Sequence, residues 1–596
     1  MKKSNLYIGL GLLAVAGSLT SCKSDYLELP PITYLSEEQL GESIEAARAA
    51  LYGLCQAMYC GFYSQDDSSR INNGECYFQT FYGDSGSPDF WDSFMWGYQS
   101  EFQMWTLMNR NTAFGSRIAW MYGYNLISQA NTILNQVDKI PASTEEISFI
   151  KAQCLTMRAH GYIRLMQVYG PRWEDRGTDG NVLCLIIRDT PGTQPLPLST
   201  YKECIDFIYN DLNEAISLFE SAPGQQRING YEPDINVARG LFSRIALLNH
   251  DWATARDMAA AGRKNFAIMT ADEYKQGFAD HNREWIWYNN PDPSYIGYVS
   301  WGSAYSCNGY YAYSYNFSGA GCISYKLYNQ IYDRHNDDVR CELFWTPDKA
   351  NKYYNFGFTY ADFFDSKYVN TEFGYMYGPK SNGQMTAAVA LWAKYNNPNP
   401  TGFDEYAFNA NIDITEDIAK NPLQIASWQK NIKSEGACQP GAQIKFYSYP
   451  EDMYATEHPF LRAAELLLTQ AEAEYELGNE SNARNLLIEL NKNRVPSGYT
   501  CDLSGEALRD EIRLYRRMEL WGEGDCWFSF KRWNTTVTRV AWKEGDPDSD
   551  TFLEAYEGTY PPDWGSTNYP QGGGWRYRIP ASETNYNSIV AEQLNQ

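Results

Sequence analysis

Histidine is scarce in this chain, five in 596 residues, and none of its thirteen cysteines forms a Cys-x-x-Cys pair or has a histidine near it at metal-ligand spacing. That removes the common zinc and iron–sulfur motifs. No phosphate loop and no nucleophile elbow occurs, which leaves no motif for nucleotide or serine-hydrolase chemistry. Positive charge is also short: 49 Lys and Arg stand against 73 Asp and Glu, a formal net charge of −24. Such a chain is repelled by phosphate backbones, so nucleic acid is not an expected partner. After Leu19 there is no further uncharged apolar run near the roughly 20 residues that a membrane-spanning helix requires. No cofactor and no metal is expected. The histidines read as structural: His160 and His250 lie in or beside helical stretches, and His281, His335 and His458 stand alone.

One apolar run does exist. Lys2 and Lys3 precede an uncharged, mostly apolar stretch from Leu6 to Leu19, which has the length of a secretory signal core rather than of a span. It ends at Leu19-Thr20-Ser21-Cys22, which resembles the bacterial lipobox, in which the cysteine thiol takes up diacylglycerol as a thioether. The expectation is a signal peptide over 1–21, lipid on Cys22, and a tether over 22–35 that contains Asp25, Glu28 and the stiffening pair Pro30-Pro31. Acidic residues after such a cysteine resemble the surface-export signal of Bacteroidetes lipoproteins, which implies an outward-facing position on the outer membrane. The remaining twelve cysteines are scattered. Cys55/Cys60 and Cys307/Cys322 are conceivable pairs, but buried free thiols are the default in a chain with a core this large.

Helical periodicity dominates the first half. Leu40, Ile44, Ala47, Leu51, Leu54 and Met58 make one apolar stripe. Further stripes are Leu126 to Val137, then Leu155, Ala159, Tyr162, Met166 and Tyr169 before the stop Gly170-Pro171, then Ile205 to Phe219. Two short helices, Val237 to Leu248 and Trp252 to Ala261, flank Asn249-His250-Asp251. The middle of the chain, about 280–450, is rich in Gly, Asn, Pro, Tyr and Trp and reads as loops and short strands, including an aromatic run from Tyr353 to Tyr377. Helices return at 459–520, with Ala464, Leu468, Ala471 and Tyr475 on one face, then Ala483, Leu487 and Leu490, then Leu508, Ile512 and Tyr515. Helix, tight turn and helix with small residues at the contact resembles a tetratricopeptide repeat. The predicted fold is mainly α: a tetratricopeptide-like helical-pair scaffold with a large irregular loop and short-strand region. It is one integrated domain over 36–596, divisible into a helical region 36–279, an aromatic-rich region 280–450 and a carboxyl-terminal region 451–596.

Several ordered motifs carry a family resemblance. Leu461-Arg462-Ala463-Ala464-Glu465-Leu466-Leu467-Leu468-Thr469-Gln470-Ala471-Glu472-Ala473, Leu490-Asn491-Lys492-Asn493-Arg494, Arg516-Arg517-Met518-Glu519-Leu520 and Trp527 to Trp533 resemble the carboxyl-terminal signature of SusD/RagB-type outer-membrane lipoproteins. Arg158-Ala159-His160-Gly161-Tyr162, the Val168 to Pro171 ending and Arg578-Ile579-Pro580 with Glu583 and Asn587 are similar to other parts of the same family. Tyr515, Cys526 and Ser529 depart from the family's usual Glu, Arg and Asp. Glu519, Arg516 and Arg517 are read as a structural ion-pair network between helices, not as catalytic groups. The resemblance implies a SusD-like fold, no enzymatic activity, and capture of an oligomeric nutrient for a TonB-dependent SusC-like outer-membrane transporter. An oligopeptide-binding member of the family is the alternative, and a surface glycoside hydrolase a more remote one.

Aromatic content points to the ligand. The chain holds 47 Tyr, 27 Phe and 18 Trp. Twelve aromatics crowd the 33 residues Trp285 to Phe317, interleaved with Asn289, Asn290, Asn308 and Asn316. Sugar rings stack their C–H faces on flat aromatic faces, and amides answer their hydroxyls. Trp285, Trp287, Trp301, Asn308, Tyr310, Tyr311 and Tyr313 are candidate ligand contacts from this segment. Tyr82, Asp84, Trp91 and Trp96 are candidates from a second aromatic cluster that runs on to Trp105. An oligosaccharide is the expected ligand, and the two clusters are expected to converge.

Overall fold

The computed structural model describes residues 40–58, 62–64, 67–71, 74–91, 102, 107–275, 277–278, 280–289, 322–344, 443, 445–446, 457–535, 537 and 575–595. The signal, Cys22 and the tether lie outside these residues, as does the Tyr353–Tyr377 run expected to form strands. Among the described residues no helix is long and apolar enough to cross a membrane.

The chain opens with helix α1 (Ile44–Gln56), started by the Ser43 side chain accepting the Ala46 N–H. Two short strands follow, β1 (Phe62–Ser64) and β2 (Asp67–Ile71), paired antiparallel. A single helical turn at Glu75–Tyr77 runs into a π-helix, Phe78–Asp84, and then into β3 (Phe90–Trp91). Four longer helices then stack in sequence: α2 (Phe114–Val137), α3 (Thr144–Tyr169), α4 (Tyr201–Glu220) and α5 (Ile235–Leu248). Helix α6 (Trp252–Arg263) closes this half. Both α3 and α4 begin with a complete capping box, Ser143 with Glu146 and Thr200 with Glu203, which satisfies backbone donors that a helix start leaves open. Gly170 ends α3 with extended backbone, as its pairing with Pro171 predicts.

Strand β4 (Trp285–Tyr288), strand β5 (Cys322–Ile323) and helix α7 (Tyr325–Tyr332) come next, then β6 (Pro459–Arg462). Helix α8 (Ala463–Glu476) packs directly on α6, across a sequence gap of about 200 residues, and then on α9 (Glu480–Asn491) and α10 (Gly505–Glu519). The short α11 (Cys526–Arg532) and, after residue 575, α12 (Ser588–Leu594) complete the described chain. The helices on both sides of the irregular middle therefore form one stacked scaffold, as the tetratricopeptide-like pattern predicts.

Two local expectations need correction. Residues 459–462 are not the start of a helix but strand β6, paired antiparallel with β4. The middle region also contains a regular helix, α7, capped by Ser324, whose side chain accepts the Leu327 N–H. Its Leu327, Tyr328 and Ile331 are buried, but the eight-residue stretch is too short to show a sustained period in sequence.

Core packing explains why α3 carries no clean stripe. It is covered by α1, α2, α4 and α5, so residues on nearly every face are buried. Contact with α2 is close enough that a Cβ on Gly161 would stand 2.8 Å from the Gly123 carbonyl oxygen. The polar groups taken into this core are paired: Arg158 donates from Nε and Nη2 to Asp211 of α4 at 2.8 and 2.6 Å. Eight cysteines are buried free thiols, Cys55 among them, so the conceivable Cys55/Cys60 bridge is not formed.

Candidate ligand-binding site

The aromatic segments are anchored by two ladders. In the first, β3 and β5 run antiparallel, with Phe90 opposite Ile323 and Trp91 opposite Cys322. The chain leaves β3 after Trp91 and enters β5 at Cys322, so both segments, 92–101 and 290–321, join this ladder at the same end. In the second, β4 pairs with β6, with Trp285 opposite Arg462 and Trp287 opposite Leu461. Strand β4 thus fixes the other end of the 290–321 segment against the scaffold.

What precedes β3 is held by carboxylates. Asp84 is buried at the end of the π-helix, where one oxygen accepts the Gly524 N–H at 2.8 Å and the other the Cys526 N–H at 3.4 Å. Burial pushes its pKa well up, against those two backbone donors. Asp89 takes a two-pronged ion pair from Arg517, and its carbonyl accepts the Trp521 indole N–H at 2.9 Å. Gly83 meets Gly524 so closely that a Cβ would fall 2.3 Å from the Gly524 oxygen. A π-helix inserts an extra residue in a turn; here it delivers Gly83 and Asp84 to the loop between α10 and α11.

What precedes β6 and follows β4 is held by a charged network. Arg494 makes paired contacts of 3.0 Å with both Glu519 oxygens, Arg462 reaches Glu519 at 3.2 Å and Arg340 at 3.4 Å. Glu284, one residue before β4, pairs with Arg462 and Arg494. All five side chains are fully or almost fully buried. Burial by itself would raise the Glu519 pKa, but Arg494 and Arg462 hold that carboxyl far below the usual range. It is a fixed anion, not a proton donor. The expected ion-pair network is present, with different partners: Arg516 pairs with Asp525 at 2.5 Å and Arg517 with Asp89, not with Glu519. Ser529, where the family usually has Asp, donates to Asp525 at 2.6 Å, so Asp525 supplies the carboxylate. Cys526 turns its thiol to Asp89 at 2.8 Å.

Four of the predicted ligand contacts are buried in this arrangement. Tyr82, Asp84, Trp285 and Trp287 are 2 %, 1 %, 2 % and 0 % exposed. Tyr82 accepts the Ala119 N–H at 3.2 Å and packs edge-on against Phe102. Trp287 donates its indole N–H to the Tyr231 carbonyl at 2.7 Å and lies edge-on to His160 and Phe460. Trp285 stacks on Phe278. Asn289 is also buried, its amide oxygen accepting the His458 N–H. These groups pack in the core. Trp91 is placed as a strand residue at the mouth of the β3–β5 ladder. Trp96, Trp301, Asn308, Tyr310, Tyr311 and Tyr313 lie outside the described residues.

Among the described residues no group of three or more His, Cys, Asp or Glu side chains could hold a metal ion. A cavity of about 860 Å³ does occur elsewhere, between the segment 182–198 and the carboxyl-terminal residues 576–595. Its signal in the sequence is the alternation Arg576-Tyr577-Arg578-Ile579, whose exposed and buried positions follow a period of two.

Two family models match the chain: one described as "Starch-binding associating with outer membrane" over residues 55–247, the other as "SusD family" over residues 283–596. No curated protein matches it. Solved structures of similar fold include a SusD-like carbohydrate binding protein from Bacteroides vulgatus, 19% identical, covering 92% of this chain and 98% of that one with a TM-score of 0.63. A SusD superfamily protein from Bacteroides thetaiotaomicron is 17% identical, covering 92% and 99%, with a TM-score of 0.62. A third, a SusD superfamily protein from Bacteroides fragilis, is 16% identical, covering 92% and 99%, with a TM-score of 0.59. With the SusD family model spanning the aromatic segment, the β4–β6 ladder and the charged network that anchors it, the chain belongs to the SusD family.

Proposed function

We propose that this protein captures an oligomeric glycan through the segments 92–101 and 290–321 and delivers it to a SusC-like TonB-dependent outer-membrane transporter, without cleaving it. This reading is supported by the β3–β5 ladder, in which Trp91 and Cys322, the residues from which the two aromatic-rich segments lead off, are paired. Sugar rings stack on such side chains. The family model described as starch-binding and outer-membrane-associated, and the relative named as a carbohydrate binding protein, support the ligand class. The carboxylates of the Glu519 network are saturated by arginines, which supports binding over hydrolysis. Lipid on Cys22 keeps the binding domain at the outer membrane, where high effective concentration lets modest affinity suffice.

Incubating residues 23–596 with a panel of soluble oligosaccharides tests the reading. Retention of at least one glycan with no shorter products by chromatography is expected. Release of shorter sugars over many turnovers would replace the binder with a hydrolase, and retention of peptides alone would replace the glycan.

A further inference from the structure

The cavity of about 860 Å³ lies well away from the β3–β5 ladder in sequence, and its size suits a small-molecule site. Two of its walls are the segment Val182 to Leu198 and the carboxyl-terminal stretch through α12. Gln593 clips these together, its amide accepting the Leu198 N–H at 2.7 Å and donating back to the Leu198 carbonyl at 3.3 Å. The floor is Tyr169 and Tyr577, both buried.

Its charge is the reverse of the chain's. With acidic residues outnumbering basic ones 73 to 49, an arbitrary surface cavity would include carboxylates; the described lining of this one has none. It has two arginines. Among the described residues, Arg576 donates only to the Leu183 carbonyl, at 3.2 Å, and Arg578 makes no side-chain hydrogen bond or ion pair. Behind the lining thiol of Cys184 lies Lys531, whose side-chain nitrogen donates to the Gln167 and Gly170 carbonyls at 2.8 and 2.7 Å and makes no ion pair among the described residues. Burial, then the neighbouring cations Arg576 and Arg172, depress the Lys531 pKa to about 7. Of the acids on the carboxyl-terminal wall, Glu583 accepts from Trp120 and Asn587, and Glu592 is exposed on α12. Around the arginines, the side-chain amides of Asn109, Asn111 and Asn585 make no hydrogen bond among the described residues.

We propose that this cleft is a second binding site, selective for a carboxylated sugar unit, with Arg576 and Arg578 taking the carboxylate and the asparagine amides taking the hydroxyls. Guanidinium groups match carboxylate geometry in paired hydrogen bonds. Amides can both donate to and accept from a sugar hydroxyl. The chain's overall negative charge does not oppose this, because beyond about 8 Å it is screened at physiological salt, whereas the arginine contact is direct. The saccharide part of the assignment rests on the glycan reading; the anion part stands independently of it.

Titrating the full chain with glucuronate, glucose and acetate, followed by NMR or calorimetry, tests the proposal. Glucuronate should bind at least about tenfold more tightly than glucose and than acetate, with an affinity that falls as salt rises. Arg576→Gln and Arg578→Gln together should lower glucuronate affinity by about tenfold or more, a loss of roughly 1.4 kcal/mol. Tyr311→Ala, in the aromatic segment, should leave glucuronate binding unchanged. Glucuronate binding that is indifferent to the two arginines, or matched by glucose, overturns the site, even if neutral oligosaccharides bind through Tyr311. Acetate binding as tightly as glucuronate overturns the saccharide assignment. If neutral glycans fail to bind while arginine-dependent glucuronate binding persists, the glycan reading of the aromatic segments falls and this site stands.

Discussion

Trp91 and Cys322 face each other across the β3–β5 ladder, although 230 residues of chain separate them. On the proposed function, this pairing joins the starting points of the two aromatic segments that share a ligand. Tyr311→Ala and Trp96→Ala, one from each segment, are each expected to weaken glycan binding by roughly 1–3 kcal/mol, by analogy with stacking of bases on aromatic side chains. Calorimetry on the wild type, both single variants and the double would show coupling between them. Strictly independent losses would mean that the segments do not share a ligand.

Trp287→Ala should behave differently. Its side chain is fully buried and hydrogen-bonded to Tyr231, so its removal is expected to cost about 3–5 kcal/mol of stability through lost burial and a cavity. Denaturant unfolding would report this, while affinity per folded molecule should remain near wild type. A specific affinity loss at unchanged stability would return Trp287 to the ligand site.

Glu519→Gln should be severely destabilising, by about 3–5 kcal/mol, because Arg494, Arg462 and Arg340 are left buried beside a neutral amide. The check is the urea midpoint. A shift of less than about 1 kcal/mol would show that water or another carboxylate compensates these arginines.

Gly83→Ala tests the join between the π-helix and the α10–α11 loop. The added Cβ meets backbone atoms of Gly524, which cannot rotate aside, so a loss of about 1–3 kcal/mol is expected. A thermal melt unchanged from wild type would show that these two backbones separate freely.

Acid should unfold the protein partly through His458. Burial lowers its pKa to about 4, and its ring bonds Gln79 at 2.9 Å. Between about 4 and the ordinary value near 6.5 the unfolded chain takes up a proton that the native state does not. Stability is thus fully present above about pH 6.5 and falls as pH drops towards 4, by on the order of 2–4 kcal/mol from this residue. His250, also lowered to about 4 by burial, acts in the same direction. Urea unfolding from pH 7.5 to 4.5 should show a shallower pH slope for His458→Gln than for wild type; an identical slope would rule out His458 as a contributor.

The helical scaffold is legible in local sequence. Periodic stripes, the Gly170-Pro171 stop and the return of small residues at 463–473 announce elements whose register depends on neighbours only three or four positions away, and the ordered motifs around Arg462, Arg494 and Glu519 identify the family. Which of the described aromatics are core emerges from tertiary packing alone. Strand β4 is covered on both faces, so Trp285, Ile286 and Trp287 are all buried and no alternation distinguishes packing from binding. Asp84, among aromatics in sequence, is fixed by backbone donors 440 residues away. Pairings at that separation depend on how the scaffold closes, and local sequence carries no trace of them. The cleft between 182–198 and 576–595 is of the same kind: its arginines are visible in the sequence, but that its described lining holds no carboxylate is a property of three-dimensional neighbourhood.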